Sequence, residues 1–400
     1  MRVRAIGLAG LVWCVAGCGD EGSLTRVGST DGGSRDASSL DGSAIDGALP
    51  SRDGGARVDG TAPALDATPP DRDGAAPPAD ARPVDEGSDA GPDEDAAIPP
   101  VCSDPEPSRR RLFGMNVDLA NPGGSPSADE LAAAGVRWVR VEWKADPGYP
   151  LYDDAMAALR SAGIRVLLLV DYASVPGKPA SDASDGEWES YLATFVAGAG
   201  ELGRHYGDSV DAWQLWNEPD LFDPGGPYDP GVPERHLGAL LRDAAAAIRA
   251  SSVRPVVTAG LASGDPGYLQ RAIDATGELT VDAIAVHPYG QRAPDGWPDP
   301  SWGFGEMSDL FDRYLAFGLP LWVSEIGTID EPIAAEYLTN VYALAGGEHA
   351  GRVQVVFWFC WSDAMVPPFG IHAADGASKA SYDSYRSAAP PWDPACDHIE

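Results

Sequence analysis

The chain has 400 residues, with 61 acidic against 28 basic side chains, a formal net charge of −33 and 44% hydrophobic residues. So acidic a protein repels nucleic acid and other polyanions, which leaves a neutral partner as the expected one. Its five cysteines and six histidines never fall into the spacing of a zinc site, so no metal is expected.

The N-terminal stretch MRVRAIGLAGLVWCVAGC pairs Arg2 and Arg4 with an apolar segment too short to span a bilayer as a folded helix. Its end, Val15 to Cys18, resembles a bacterial lipobox. That resemblance implies a signal peptide over residues 1–18, cleavage before Cys18 and acylation of that cysteine. The mature protein would then be exported and held to a membrane of the cell envelope by lipid. Residues 19–100 are Asp, Gly, Ala, Pro and Ser with no aromatics, and carry 18 acidic against 6 basic residues. Such a composition does not bury enough apolar surface to offset the entropy of ordering, so a disordered tether is expected. As a flexible coil it would span roughly 50 Å root-mean-square.

Residues 101–400, with 43 acidic and 20 basic side chains, form the folded part and fit one large barrel. Eight β-rich runs follow in order: RLFGMNV, VRWVRVEW, IRVLLLVDY, VDAWQLW, RPVVTAGLA, VDAIAVHPY, PLWVSEIG and VQVVFWFCW. Helical patterns separate them, several opening on Ser or Asp and closing on Gly. Near-continuously apolar strands alternating with helices predict a parallel sheet, and eight such units predict a (β/α)₈ barrel. A doubly wound open sheet is the alternative. It needs a glycine-rich phosphate turn after the first strand, which FGMNVDLANPGG matches poorly.

Barrel enzymes place their chemistry at the C-terminal strand ends. Those ends read Asn116 and Asp118, Arg140 and Glu142, Asp171 and Tyr172, and Asn217 and Glu218. The fifth ends at Ser263, the sixth at His287 and Tyr289, the seventh at Glu325, and the eighth at Trp358 and Trp361 before Asp363. An isolated Glu-Pro such as that in WQLWNEPD is ordinarily a solvated loop charge; a full ring of polar ends is not. By alternation Gln214, Trp216 and Glu218 share one face of the fourth strand, and Leu321, Val323 and Glu325 share one face of the seventh. If both faces point inward, the two glutamates oppose each other across the mouth. Paired carboxyl groups of that kind serve acid-assisted cleavage of an acetal.

WNEP ending strand four, HPY ending strand six and SEIG ending strand seven resemble the clan of retaining glycoside hydrolases built on (β/α)₈ barrels. WQLWNEPDLF is similar to family 39, and FWFCWSD with PFGIHAADGASKASYDSY resembles the closing segment of family 39 and family 5 enzymes. The resemblance covers residues 112 to about 388. It implies Glu218 as acid/base and Glu325 as nucleophile, with no metal or organic cofactor. Asn217 would then bond a sugar 2-hydroxyl, Arg140 would donate to Glu325, Tyr289 would hold the second oxygen of Glu325, and His287 would bind a sugar hydroxyl. Trp358 and Trp361 are candidates for a stacking platform, but alternation puts them on opposite faces, so Trp361, nearer the loop, is the better one and the other is more often core. Trp143, Trp297 and Trp302 are candidates for further subsites.

The expected activity is hydrolysis of a neutral β-linked polysaccharide or oligosaccharide by a monomer. A non-catalytic polysaccharide-binding protein and a transglycosylase are the alternatives. Cys102, ahead of the first β-rich run, and Cys396, after the last helical pattern, are expected to pair as a disulfide, and Cys360, inside an apolar run, to be a buried small hydrophobe. The lipobox is tested by Cys18→Ser, which should release the protein from the membrane fraction or block its processing. Identical partitioning of wild type and variant into detergent would reject the anchor.

Overall fold

Eight short apolar runs become parallel strands in the computed structural model of this chain, which describes residues 107–297, 304–391 and 393. The signal segment with Cys18, the tether, Cys102, Trp302 and Cys396 lie outside the described residues. The strands are β1 (Phe113–Val117), β2 (Trp138–Glu142), β3 (Arg165–Val170), β4 (Ala212–Leu215), β5 (Val256–Leu261), β6 (Ala283–Val286), β7 (Leu321–Ile326) and β8 (Val353–Trp358). Each pairs in parallel with its neighbours in chain order, and β8 returns to β1, so the sheet closes into a barrel. A two-residue pair, Gln291–Arg292 with Gly305–Glu306, decorates the loop after β6.

Besides a four-residue helical turn, Pro107–Arg110, ahead of β1, the helices are α1 (Ala128–Ala134), α2 (Tyr149–Ser161), α3 (Asp185–Tyr206), α4 (Glu234–Arg249), α5 (Pro266–Thr276), α6 (Met307–Leu315), α7 (Glu331–Gly346) and α8 (Ala380–Ala388). Each fills one of the eight connections expected from the sequence. Ser127 with Glu130, and Ser184 with Glu187, form capping boxes that satisfy the first amides of α1 and α3. The described ends of the chain meet: Arg110 donates to the Pro391 carbonyl (2.5 Å) and Arg137 to the Pro390 carbonyl (2.8 Å).

Two apolar layers result. The outer one fills the space between strands and helices. The inner one plugs the bottom of the barrel with Trp138, Leu167, Ala212, Val257, Ala283, Ala285, Trp322, Val355 and Phe357. Trp138 and Trp322 meet edge to face at 5.1 Å. Gly114 makes room for this plug, since a Cβ there would stand 2.6 Å from the Phe357 ring.

The chain has three lysines, Lys144, Lys178 and Lys379, and all three tie neighbouring mouth loops together. Lys144 reaches Asp118 (3.0 Å), Lys178 reaches Asp229 (3.5 Å), and Lys379 reaches both Asp363 and Glu331 (2.6 Å each). Burial opposes the charge of Lys144, but Glu142 and Asp118 outweigh it and push the ammonium above its usual range.

Gly114→Val should overpack the plug, at a cost of about 1–3 kcal/mol. In a domain of this size that lowers Tm by about 2–4 °C per kcal/mol, measurable by calorimetry.

Candidate active site

Above the apolar plug the barrel interior turns polar, and two backbone irregularities decide which residues enter it. On β4, Gln214 points inward, while Trp213 and Leu215 pack among the helices. Simple alternation would send Trp216 inward. Instead Trp216 adopts a left-handed backbone (φ 77°), and its ring packs against Phe195 (5.4 Å) and Tyr191 (6.1 Å) of α3. Asn217 and Glu218 then enter the mouth as consecutive residues, Glu218 also at positive φ (48°).

Left-handed backbone costs a non-glycine residue on the order of 1–3 kcal/mol and persists only where the surroundings over-determine it. Here the Trp216 amide donates to Val170 O (2.8 Å) and the Glu218 amide to Gly260 O (2.9 Å). Asp220 secures the exit by accepting from the amides of Ala262 (3.0 Å) and Ser263 (2.6 Å). The carboxylate at a surfacing strand in WQLWNEPD is therefore a buried group; Glu218 is 5% exposed.

On β7 the alternation expected from the sequence is reversed. Leu321 and Val323 face the helices, and Trp322 and Ser324 face the interior. Val323 pairs with Val356 and Ile326 with Trp358, so β7 takes three steps where β8 takes two. This bulge brings the consecutive residues Ser324 and Glu325 both inward. Glu325 reaches the mouth, as expected, but through the bulge and not by parity.

Arg140 on β2 organises the centre. Its Nη1 donates to Glu325 (2.6 Å) and Asn116 (3.0 Å), its Nη2 to Asn217 (2.7 Å) and its Nε to Gln214 (2.5 Å). Arginine only donates, so these contacts fix Asn116, Asn217 and Gln214 with their amide oxygens toward it. Tyr289 donates to the other oxygen of Glu325 (3.0 Å). Burial and the nearby charges of Glu325 and Glu218 push the Tyr289 phenol well above its usual range, so it remains a donor.

Glu218 is held differently. Tyr228, from the loop after β4, donates to Oε2 (2.8 Å), and His287 meets Oε1 through Nδ1 (3.0 Å). The Tyr172 hydroxyl backs that of Tyr228. His287 Nε2 lies 3.0 Å from Ser324 Oγ, which accepts from Gln214 Nε2 at the same distance. The arrangement satisfying every atom has the Ser324 hydroxyl donating to Nε2, leaving the Nδ1–H to donate to Glu218. The ring lies over Gly260, where a Cβ would stand 2.0 Å from Nε2.

Of the residues expected from the sequence, Arg140, Asn217, Glu218, His287, Tyr289 and Glu325 converge in one cluster. His287 departs from its expected role. Both its nitrogens are engaged within the protein, so it supports Glu218 and is not free for a sugar hydroxyl. Trp358 is 1% exposed and packs against Tyr337 of α7 (6.3 Å), which makes it a core residue. Trp361, 8% exposed, lies against His372 (4.6 Å), and its amide donates to Asn116 O. Trp143 is buried against Tyr149 and Tyr152, and Trp297 stacks on Tyr337 (5.3 Å). Cys360 is fully buried, and burial raises its thiol, as expected of a small hydrophobe. The sequence reading put Gln214 on the same face as Glu218 but gave it no role, and it missed Tyr228 and Ser324.

Donor atoms of Glu218, His287 and Glu325 all lie within 4.8 Å of one another, compact enough for a divalent cation. Their partners argue against that use. Protons from Arg140 and Tyr289 already meet Glu325, those of Tyr228 and His287 meet Glu218, and the second His287 nitrogen is occupied by Ser324.

No protein-family model matches this chain, nor does any curated protein. Solved structures do. A family 39 glycoside hydrolase from the gut symbiont Bacteroides cellulosilyticus superposes with a TM-score of 0.51 at 20% identity, over 70% of this chain and 64% of that one. The chain thus spans less than two thirds of that enzyme. A monomeric β-xylosidase from Caulobacter crescentus gives 0.51 at 19% identity, over 72% and 68%. GH5_18 from Streptomyces cattleya, solved in complex with GlcNAc, gives 0.51 at 15% identity, over 70% and 80%. At these identities the likeness is one of fold: this chain is a (β/α)₈ barrel of the kind those hydrolases use.

Gly260→Ala should displace the His287 ring and break both its contacts. In the wild type at alkaline pH, ¹⁵N NMR should show His287 as the single Nδ1–H tautomer. The variant should show a mixture, with a stability loss of about 1–3 kcal/mol from orphaned buried groups. A wild-type Nε2–H tautomer would overturn the assigned network.

Proposed function

We propose that this barrel is a retaining glycoside hydrolase acting on a neutral, β-linked polysaccharide or oligosaccharide. One observation carries the reading: two buried carboxyl groups oppose each other, one just past β4 and one on β7, with an oxygen of each within 4.8 Å of the other and unlike partners around them. Retaining enzymes hold such groups about 5–5.5 Å apart, whereas inverting enzymes leave about 6.5–9.5 Å for a water. The cation at Glu325 and the neutral donors at Glu218 divide the roles. Glu325, flanked by Arg140, is the nucleophile; Glu218 is the acid and then the base.

In the first step a Glu325 oxygen bonds to the anomeric carbon while the bond to the leaving oxygen breaks. That oxygen takes the proton from Glu218, and a glycosyl ester remains. In the second step Glu218 takes a proton from water, whose oxygen attacks the anomeric carbon and frees Glu325. Arg140 and Tyr289 hold Glu325 in place throughout, and the Asn217 amide, fixed by Arg140, retains an N–H to offer a sugar hydroxyl. The export signal, the lipid on Cys18 and the tether of residues 19–100 belong to the same proposal: an enzyme held clear of a membrane surface and facing an extracellular glycan.

Screening the purified protein on aryl β-glycosides and on neutral glucans, xylans and mannans tests the activity. Release of no reducing ends from any of them would favour a glycan-binding role. On a substrate that turns over, Glu325→Ala should abolish reaction for every leaving group. Glu218→Ala should lose about 10²–10⁴-fold on ordinary leaving groups, spare dinitrophenyl glycosides, and recover with azide to give the β-glycosyl azide. Proton NMR should show a first product of the substrate's own anomeric configuration; an inverted one would refute double displacement.

A further inference from the structure

Each oxygen of Glu218 is held from a different side of the mouth. His287 meets Oε1 through Nδ1 (3.0 Å), and the Tyr228 hydroxyl meets Oε2 (2.8 Å). The last torsion of a glutamate is broad, so one donor at Oε1 would leave the carboxyl plane free to turn about that contact. The second donor removes that freedom. A general acid needs it removed, because its proton has to lie along the line to the leaving oxygen.

Tyr228 is 5% exposed, yet among the described residues its ring belongs to neither apolar layer. It is buried in the polar mouth. The direction of its hydroxyl follows from its neighbours. Arg140 claims the Asn217 oxygen (2.7 Å), so Asn217 Nδ2 donates to the Tyr228 oxygen (3.3 Å) and the phenolic hydrogen is left for Glu218. Burial and the charge of Glu218 hold the phenol well above its usual range, so it keeps that hydrogen.

The loop carrying Tyr228 is fastened around it. Asp229 accepts from the amides of Ser181 (2.7 Å) and Asp223 (3.1 Å), with Lys178 at 3.5 Å. Pro230 O accepts from the Trp216 indole (2.8 Å), and the Val232 amide donates to Pro219 O (2.9 Å). The left-handed turn that swings Trp216 outward therefore also ties down the loop that returns Tyr228 to Glu218.

We propose that Tyr228 is a positioning residue for acid catalysis, holding the Glu218 carboxyl plane in the orientation that protonates the leaving oxygen. The proposal rests on the hydrolase reading of the two glutamates. Tyr228 acts through Glu218 and not on the sugar. A space-filling role would need only the ring, and phenylalanine would serve it equally.

The test is Tyr228→Phe in the full chain, which removes the hydroxyl and keeps the ring. The probes are phenyl and 2,4-dinitrophenyl β-xylosides and β-glucosides. On the phenyl glycosides, whose leaving oxygen needs a proton, kcat/KM should fall about 10–100-fold. On the dinitrophenyl glycosides kcat/KM should be unchanged. There kcat and KM should fall together, because water meets a poorly aimed base and the ester accumulates. Equal losses of kcat/KM for both leaving groups, or none for either, would overturn the proposal. A crystal structure of the variant reads the position without turnover: the Glu218 carboxyl should be turned about its contact with His287. An unmoved carboxyl would overturn the proposal as well. Suppose the variant's carboxyl is turned, but the wild type hydrolyses neither these glycosides nor glucans, xylans and mannans. The hydrolase reading would then sink, and the hold of Tyr228 on Glu218 would stand. Hydrolysis with an unmoved carboxyl would do the reverse.

Discussion

A single buried guanidinium governs the upper half of this barrel. Arg140 is 5% exposed, and taking such a charge out of water costs several kcal/mol before any partner is counted. That cost is offset only if nearly every N–H finds an acceptor, and Glu325, Asn116, Asn217 and Gln214 supply them from β7, β1 and β4. The strand ends on three sides of the mouth are therefore referred to one rigid planar fork. Lysine would not substitute, because a point charge on a flexible stem does not bind four acceptors in one plane. The apolar plug beneath completes the constraint by closing the bottom of the barrel to water and raising the worth of each contact above it.

The strands and helices were legible because their periods are clean. Runs such as IRVLLLV leave one reading, and the Ser-x-x-Glu caps at Ser127 and Ser184 mark helix starts by their own chemistry. The positions of Glu218 and Glu325 were legible for a less secure reason. Counting by twos reached the right residues, while the actual paths run through a left-handed Trp216 and a bulge at Ser324–Glu325. A period-two argument has no access to either irregularity, since each is set by neighbouring strands. The WNEP and SEIG motifs pointed to the same two positions without any parity argument.

The supporting residues were hidden for a different reason. Gln214 and Ser324 sit inside strands, where a polar side chain reads as an ordinary exception, and Tyr228 lies in a loop of Gly, Pro and Asp whose path the sequence leaves open. Only three-dimensional closure brings the Tyr228 hydroxyl to Glu218. Aromatic residues at a strand end suit a sugar platform and a core equally well; parity separated the two tryptophans, and Trp358, the one farther from the loop, is core.

The hydrogen bonds linking the two carboxylates run outward from Arg140, directly to Glu325 and through three residues to Glu218. Arg140 donates to Gln214, Gln214 to Ser324, Ser324 to His287 and His287 to Glu218. Arginine has no lone pair to offer, so this sequence has a fixed polarity and a closed end. A proton arriving on Glu218 finds the imidazole already presenting hydrogen toward it, while the ring's lone pair, on Nε2, is held by the Ser324 hydroxyl on the far side. Tyr228 likewise points its hydrogen at the carboxylate. Both partners of Glu218 thus offer it hydrogens and take none, so the proton it gains or gives up is exchanged with something other than Tyr228 or His287.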